Sequence, residues 1–144
     1  MDRPSRAREL WFTGPRSVEV RAGRPPALAP GQVLARAVAS GVSQGTELLL
    51  YRGEGPTPFD PSLDEPGAPT YPRRYGYAWV GEVVAGPGAA ADLPVGSRVF
   101  ALAPHGDLCA LDRGSARRLD PSVPAPRAVL AASLETAVTC VWDS

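Results

Sequence analysis

The chain has 144 residues, 44% of them hydrophobic, with 15 basic residues, 15 acidic residues and a net charge of zero. That is the size of one domain with enough apolar material for a core, and the balanced charge leaves no basic stripe for nucleic acid and no basic patch for a membrane. All fifteen cations are arginine, which excludes lysine Schiff-base or lysine-base chemistry.

Cys109 and Cys140 have no cysteine or histidine partner at zinc-site spacing. Two cysteines do not make a disulfide scaffold in a domain of this size, so both are expected as reduced thiols in a cytoplasmic protein. The opening MDRPSRAREL is charged and lacks an apolar run, so neither a signal peptide nor a membrane span is expected.

Residues 1–7 are expected as a disordered lead-in. Glu9 to Thr13 and Val18 to Arg21 flank GPRS and predict a β-hairpin, with Trp11 and Phe12 as core. AGRPPALAPG, with three prolines, predicts a loop. Gln32 to Val42 alternates, Val33, Ala35, Ala37 and Ala39 opposing Leu34, Arg36 and Val38, and predicts a strand. Thr46 is placed to cap a helical turn over Glu47 to Tyr51 that Gly53 ends.

Residues 53–72 hold six prolines and three glycines and predict a long irregular loop, functional or disordered. Tyr77 to Ala85 predicts a buried strand, and Ser97 to Ala103 another. GPGAAA, Gly86 to Ala91, has the letters of a dinucleotide fingerprint. No helix can follow it before Pro94 and Gly96, so it reads as a turn. Two short strands are expected at Leu108 to Leu111 and Ala116 to Leu119. Pro124 to Trp142 predicts a helix whose apolar residues cover much of its circumference. Such a helix is normally buried between two layers, and this chain offers it one. Many short strands punctuated by Gly and Pro predict a mainly β barrel or sandwich.

Several polar and aromatic positions are candidates for chemistry. His105 is the sole histidine; it reads as a solvated loop residue or as a proton donor and acceptor that Asp107 orients. Ser43, Thr46 and Glu47 read as a helix start or as a hydroxyl relay lining a pocket. Nothing here resembles the nucleophile elbow of serine hydrolases. Tyr75, Tyr77 and Trp79 alternate and are expected on one face, as packing or as a substrate wall, with Tyr77 a candidate phenol acid.

Taken in order, SGVSQGTELLLYRGE, YPRRYGYAWVGEVV, VGSRVFALAPHGD and PRAVLAASLETAVTCVWD resemble the medium-chain alcohol dehydrogenase/reductase family, over roughly residues 8–143. The similarity is to its N-terminal, GroES-like catalytic domain, in the threonine-dehydrogenase-like branch that includes bacteriochlorophyllide-type dehydrogenases. The resemblance implies a distorted, partly open β-barrel over 8–123 with short helices, then a C-terminal helix over 124–144 that leads in relatives to a Rossmann domain. It also implies hydride transfer between NAD(P)H and a carbonyl, alcohol or enone. Zinc-dependent members carry a cysteine where this chain has Ser43 or Gln44, and Gly-His-Glu where it has Gly76-Tyr77-Ala78. The structural zinc lobe is missing as well, so no metal is expected. Thr46 matches the hydroxyl that relays a proton in the family.

No Rossmann domain lies within the 144 residues, so no cofactor site is expected in this chain alone; NAD(P)H would enter only if a partner supplied that domain. The expected site comprises Tyr77, His105, Thr46, Glu47 and Ser43 for catalysis and Tyr75, Trp79, Gln44 and Tyr51 for a small organic substrate. The expected function is a non-redox step such as cyclisation, isomerisation or dehydration, with residues 53–72 as a lid. The alternatives are the catalytic half of a partner-dependent oxidoreductase and a non-catalytic scaffold. The 124–142 helix is expected to dock on a partner protein or a second copy.

Overall fold

The computed structural model describes residues 4–54, 70–86 and 92–143. The expected loop over residues 53–72 falls largely outside the described residues, as does most of GPGAAA. The hairpin forms as the pattern predicts: β1 (Ala7–Gly14) pairs antiparallel with β2 (Ser17–Gly23). Its turn holds Arg16 at φ 58°, the left-handed region, where a non-glycine residue is uncommon. Ala7 is not part of a lead-in. It opens β1 and is 2% exposed, because its methyl group packs against Leu34 and Leu108.

The main sheet has five antiparallel strands in the order β6-β3-β4-β5-β7. These are β3 (Gln32–Ser40), β4 (Trp79–Ala85), β5 (Arg98–Ala101), β6 (Leu108–Asp112) and β7 (Arg117–Arg118). The two end strands do not pair with each other, so the sheet is a half-barrel, mainly β as predicted. β3 lies between β4 and β6, with Ala35 opposite both Val83 and Cys109. Both faces of its first half are covered, so Val33, Leu34 and Ala35 are all buried.

The core lies on both sides of β4. Trp79 packs with Val33, Ala35, Val83, Val99 and Leu111 on one side. Val80 and Phe100 pack with Ala125 and Ala128 on the other. Full burial of one such apolar side chain stabilises by about 1.5–3 kcal/mol. The hairpin joins the sheet through bridges from Glu9 to Gly106 and from Phe12 to Arg73. Phe12 is core as expected. Trp11 is only half-buried, its indole under the Arg21 guanidinium at 5.2 Å and bonded to Glu9 at 3.1 Å.

The helices depart from expectation. α1 (Thr46–Arg52) starts on Gly45 with no side-chain cap, so Thr46 is its first residue and not its cap. Gly53 ends it at φ 77°, as predicted. The C-terminal helix is two: α2 (Ala125–Ala128) and α3 (Ala131–Trp142). They part at Leu130, whose N–H reaches back only to Arg127. α2 presses Ala125 and Ala128 into the Val80–Phe100 cluster, whereas α3 has no buried residue. Among the described residues no helix is long and apolar enough to cross a membrane.

Candidate active site

Three chain segments meet at His105. Its backbone carbonyl accepts the Leu10 N–H of β1 at 3.1 Å, and its own N–H donates to the Tyr75 carbonyl at 3.2 Å. The next carbonyl, of Gly106, takes the Trp79 indole N–H at 3.0 Å. A loop residue clamped on these sides is not solvated: His105 is 7% exposed. Gly76 makes room for the ring. A Cβ there would lie 2.9 Å from the imidazole Cδ2, and φ is 141°. Only glycine tolerates both conditions.

Glu47, on the first turn of α1, is 2% exposed and pairs with His105. Its Oε1 meets Nε2 of the imidazole, and its Oε2 accepts the backbone N–H of Ser43. On the other side of the ring, the Ser40 hydroxyl bonds Nδ1. Ser40 ends β3 and is exposed. A buried carboxylate, a buried imidazole and an exposed hydroxyl therefore stand in line. A carboxylate only accepts, so the proton between Glu47 and a neutral His105 sits on Nε2, leaving the Nδ1 lone pair facing Ser40.

Asp107 does not orient His105. It accepts the Arg8 backbone N–H at 2.7 Å and pairs with its guanidinium at 3.2 Å, because the loop turns it out toward β1. Ser43 accepts the Gly45 N–H at 3.1 Å, as a helix-start residue does, and Thr46 beside it is half-buried.

A cavity of about 630 Å³ opens beside this array. One wall is the segment entering β4, Arg73 to Tyr77; another is Leu102 and Pro104; the third is α3, with Ala132, Ser133, Glu135 and Thr136. Tyr75 and Tyr77 meet edge to face, their ring centroids 6.2 Å apart. The volume lies in the range typical of small-molecule sites, and the mix of aromatic walls with a few polar groups is their usual chemistry. Arg74 is held there by Glu9 at 2.8 Å.

Tyr75 and Tyr77 lie on the cavity wall, but Trp79 does not. It is 0% exposed in the core, so it cannot touch a ligand. The three aromatics do not share a face, because the backbone at Gly76 breaks the alternation and β4 begins only at Trp79. Gln44 is exposed outside the cavity lining, and Tyr51 packs with Phe12, Leu50 and Tyr75. Ser40 and the α3 residues carried no sequence signal. Ser40 faces His105 because the register slips between Ala37 and Ala39, a bulge that period-2 reading does not contain.

Zinc does not fit the positions that the resemblance assigns to it. Tyr77 offers a phenol, Ala78 a methyl group and Ser43 a hydroxyl already bonded, where zinc needs nitrogen, sulfur or carboxylate donors. Among the described residues no three His, Cys, Asp or Glu side chains gather. Cys109 and Cys140 are free thiols, and burial pushes the Cys109 thiol up from its ordinary value despite the nearby Arg74.

No protein-family model and no curated protein matches the chain. Solved structures do. A short chain alcohol dehydrogenase of E. coli CFT073 complexed with NADH superposes with a TM-score of 0.68 at 16% identity, over 88% of this chain and 42% of its own. A putative zinc-binding dehydrogenase from Sinorhizobium meliloti bound to NADP gives 0.66 at 18% identity, over 88% and 42%. A quinone oxidoreductase of Pseudomonas syringae gives 0.63 at 22% identity, over 85% and 36%. The fold is therefore the GroES-like catalytic-domain fold of medium-chain dehydrogenases and quinone oxidoreductases, and the chain spans about two fifths of their length. None of these neighbours supports the expected non-redox step.

Proposed function

We propose, from the fold shared with dehydrogenases and quinone oxidoreductases, that this chain is the substrate-side domain of an oxidoreductase acting on a ring-sized carbonyl or quinone in the cytoplasm. The single observation that carries this is the cavity of about 630 Å³ between Tyr75–Tyr77 and α3, built on that fold. In this reading a nicotinamide nucleotide, held by a domain outside these 144 residues, supplies the hydride. The chain's own groups bind and orient the carbonyl. Tyr75, Leu102 and Pro104 give it an apolar bed, and the Tyr77 phenol is the donor to its oxygen.

The nucleotide-binding domain, or a second copy of the chain, would sit on α3, where Leu134 is 55% and Trp142 82% exposed. The test is a pair of titrations of the purified chain. Duroquinone, fully substituted and so unable to alkylate Cys140, is expected to saturate, and Tyr77→Ala to weaken it at least tenfold. NADPH alone is expected to show no saturation up to millimolar concentration. Saturable NADPH binding, or duroquinone binding indifferent to Tyr77, would overturn the assignment.

A further inference from the structure

The Ser40–His105–Glu47 array is not needed to hold a carbonyl in the cavity, and Ser40 is not among the cavity's lining residues. We propose that Ser40 is an activated nucleophile and that the array gives this domain a second activity, acyl transfer from small carboxylic esters.

Three features carry it. The first is connectivity. A hydroxyl bonded to one imidazole nitrogen, with a carboxylate on the other, is the arrangement that activates serine, recognised by geometry and roles and not by chain order. Here the hydroxyl meets Nδ1 and the carboxylate Nε2, the reverse of the serine-protease assignment. Either nitrogen of a neutral imidazole serves as base once the other holds the proton.

The second feature is burial. The His105 and Glu47 side chains are 8% and 2% exposed, so water competes little for the base, while Ser40 itself is exposed to an incoming ester. The third is rigidity. Glu47 is fixed by the Ser43 N–H, and the His105 backbone by β1 and Tyr75. A base so held keeps its aim without a ligand.

The reaction balances within the chain. Ser40 Oγ adds to the ester carbonyl carbon as its proton passes to His105 Nδ1. The carbon–alkoxy bond breaks, and the alcohol leaves with that proton. Water then adds to the acyl-Ser40 carbonyl, its proton again taken by His105. The carboxylic acid departs and Ser40 is restored. No oxidant, reductant or metal is consumed.

The experiment uses the whole chain in a Cys140→Ser background, which removes the exposed thiol as a competing acceptor. A fluorophosphonate probe is reacted with the folded chain and the adduct located by peptide mass spectrometry. The burst of p-nitrophenol from p-nitrophenyl acetate is followed in parallel. The expected result is one adduct on Ser40, absent in Ser40→Ala and unchanged in Ser122→Ala. His105→Gln is expected to slow adduct formation at least tenfold, within the about 10²–10⁴-fold that one positioned base supplies. Because His105 is buried, that variant is scored only where circular dichroism shows the native fold; Ser40→Ala, at an exposed position, decides the matter otherwise. No adduct, an adduct on another residue, or a burst undiminished by Ser40→Ala overturns the proposal. Duroquinone binding is read independently, so failure here leaves the reductase reading standing.

Discussion

Trp79 and Trp142 have the same side chain and opposite surroundings. Trp79 is 0% exposed at the start of β4, packed with Ala35 and Val99, which are also at 0%. Trp142 is 82% exposed at the end of α3, and Val141 before it 72%. Stability thus rests in the half-barrel and its hairpin. α3 adds little to it and instead provides a cavity wall and an apolar surface.

The comparison can be broken first in the core. Trp79→Ala should cost about 3–5 kcal/mol in chemical denaturation, since it removes the largest fully buried side chain and leaves a cavity. Gly81→Ala comes next. Its Cβ would lie 2.1 Å from the Trp79 ring and 2.6 Å from the Arg36 carbonyl, so about 1–3 kcal/mol or more of overpacking is expected in the same measurement.

Gly76→Ala should cost about 1–3 kcal/mol from its backbone geometry. By displacing the His105 ring it should also lower Ser40 labelling, which a purely structural glycine would not do. On α3 the expectation reverses. Leu134→Ser with Val138→Ser should change denaturation of the chain by no more than about 0.5 kcal/mol. A loss comparable to Trp79→Ala would show that α3 belongs to the core.

The smallest effect is a rate. Exposed Cys140 should be alkylated well before Cys109, which is part-buried and whose thiol burial holds above its ordinary value. Equal rates would mean that β6 opens readily.

The sheet was legible because its signals are local. Alternation predicted the β1–β2 hairpin and β3, and Gly53 marked the end of α1. The ordered motifs carried the fold to a half-barrel. The site was less legible because its parts meet through long-range contacts. His105 looked solvated, since nothing adjacent in sequence shows that β1 and Tyr75 close over it. Glu47 was named, but its partner lies 58 residues away. Ser40 was hidden by the bulge in β3, and Trp79 was misassigned because Gly76 resets the face pattern. The break at Leu130 was not legible either: α2 packs Ala125 and Ala128 on Val80 and Phe100, Ala131 and Ala132 at the start of α3 lie against the same cluster, and Ser133, Glu135 and Thr136 wall the cavity.

The central claim is that a carbonyl compound occupies the cavity between Tyr77 and α3. It is tested most directly by following backbone amide resonances of the ¹⁵N-labelled chain during a duroquinone titration. The account predicts saturable shifts concentrated at Gly76, Tyr77 and Ser133 to Thr136, with β2 and β7 unmoved. Shifts absent at saturating duroquinone, or spread over the exposed β2 face instead, would contradict it.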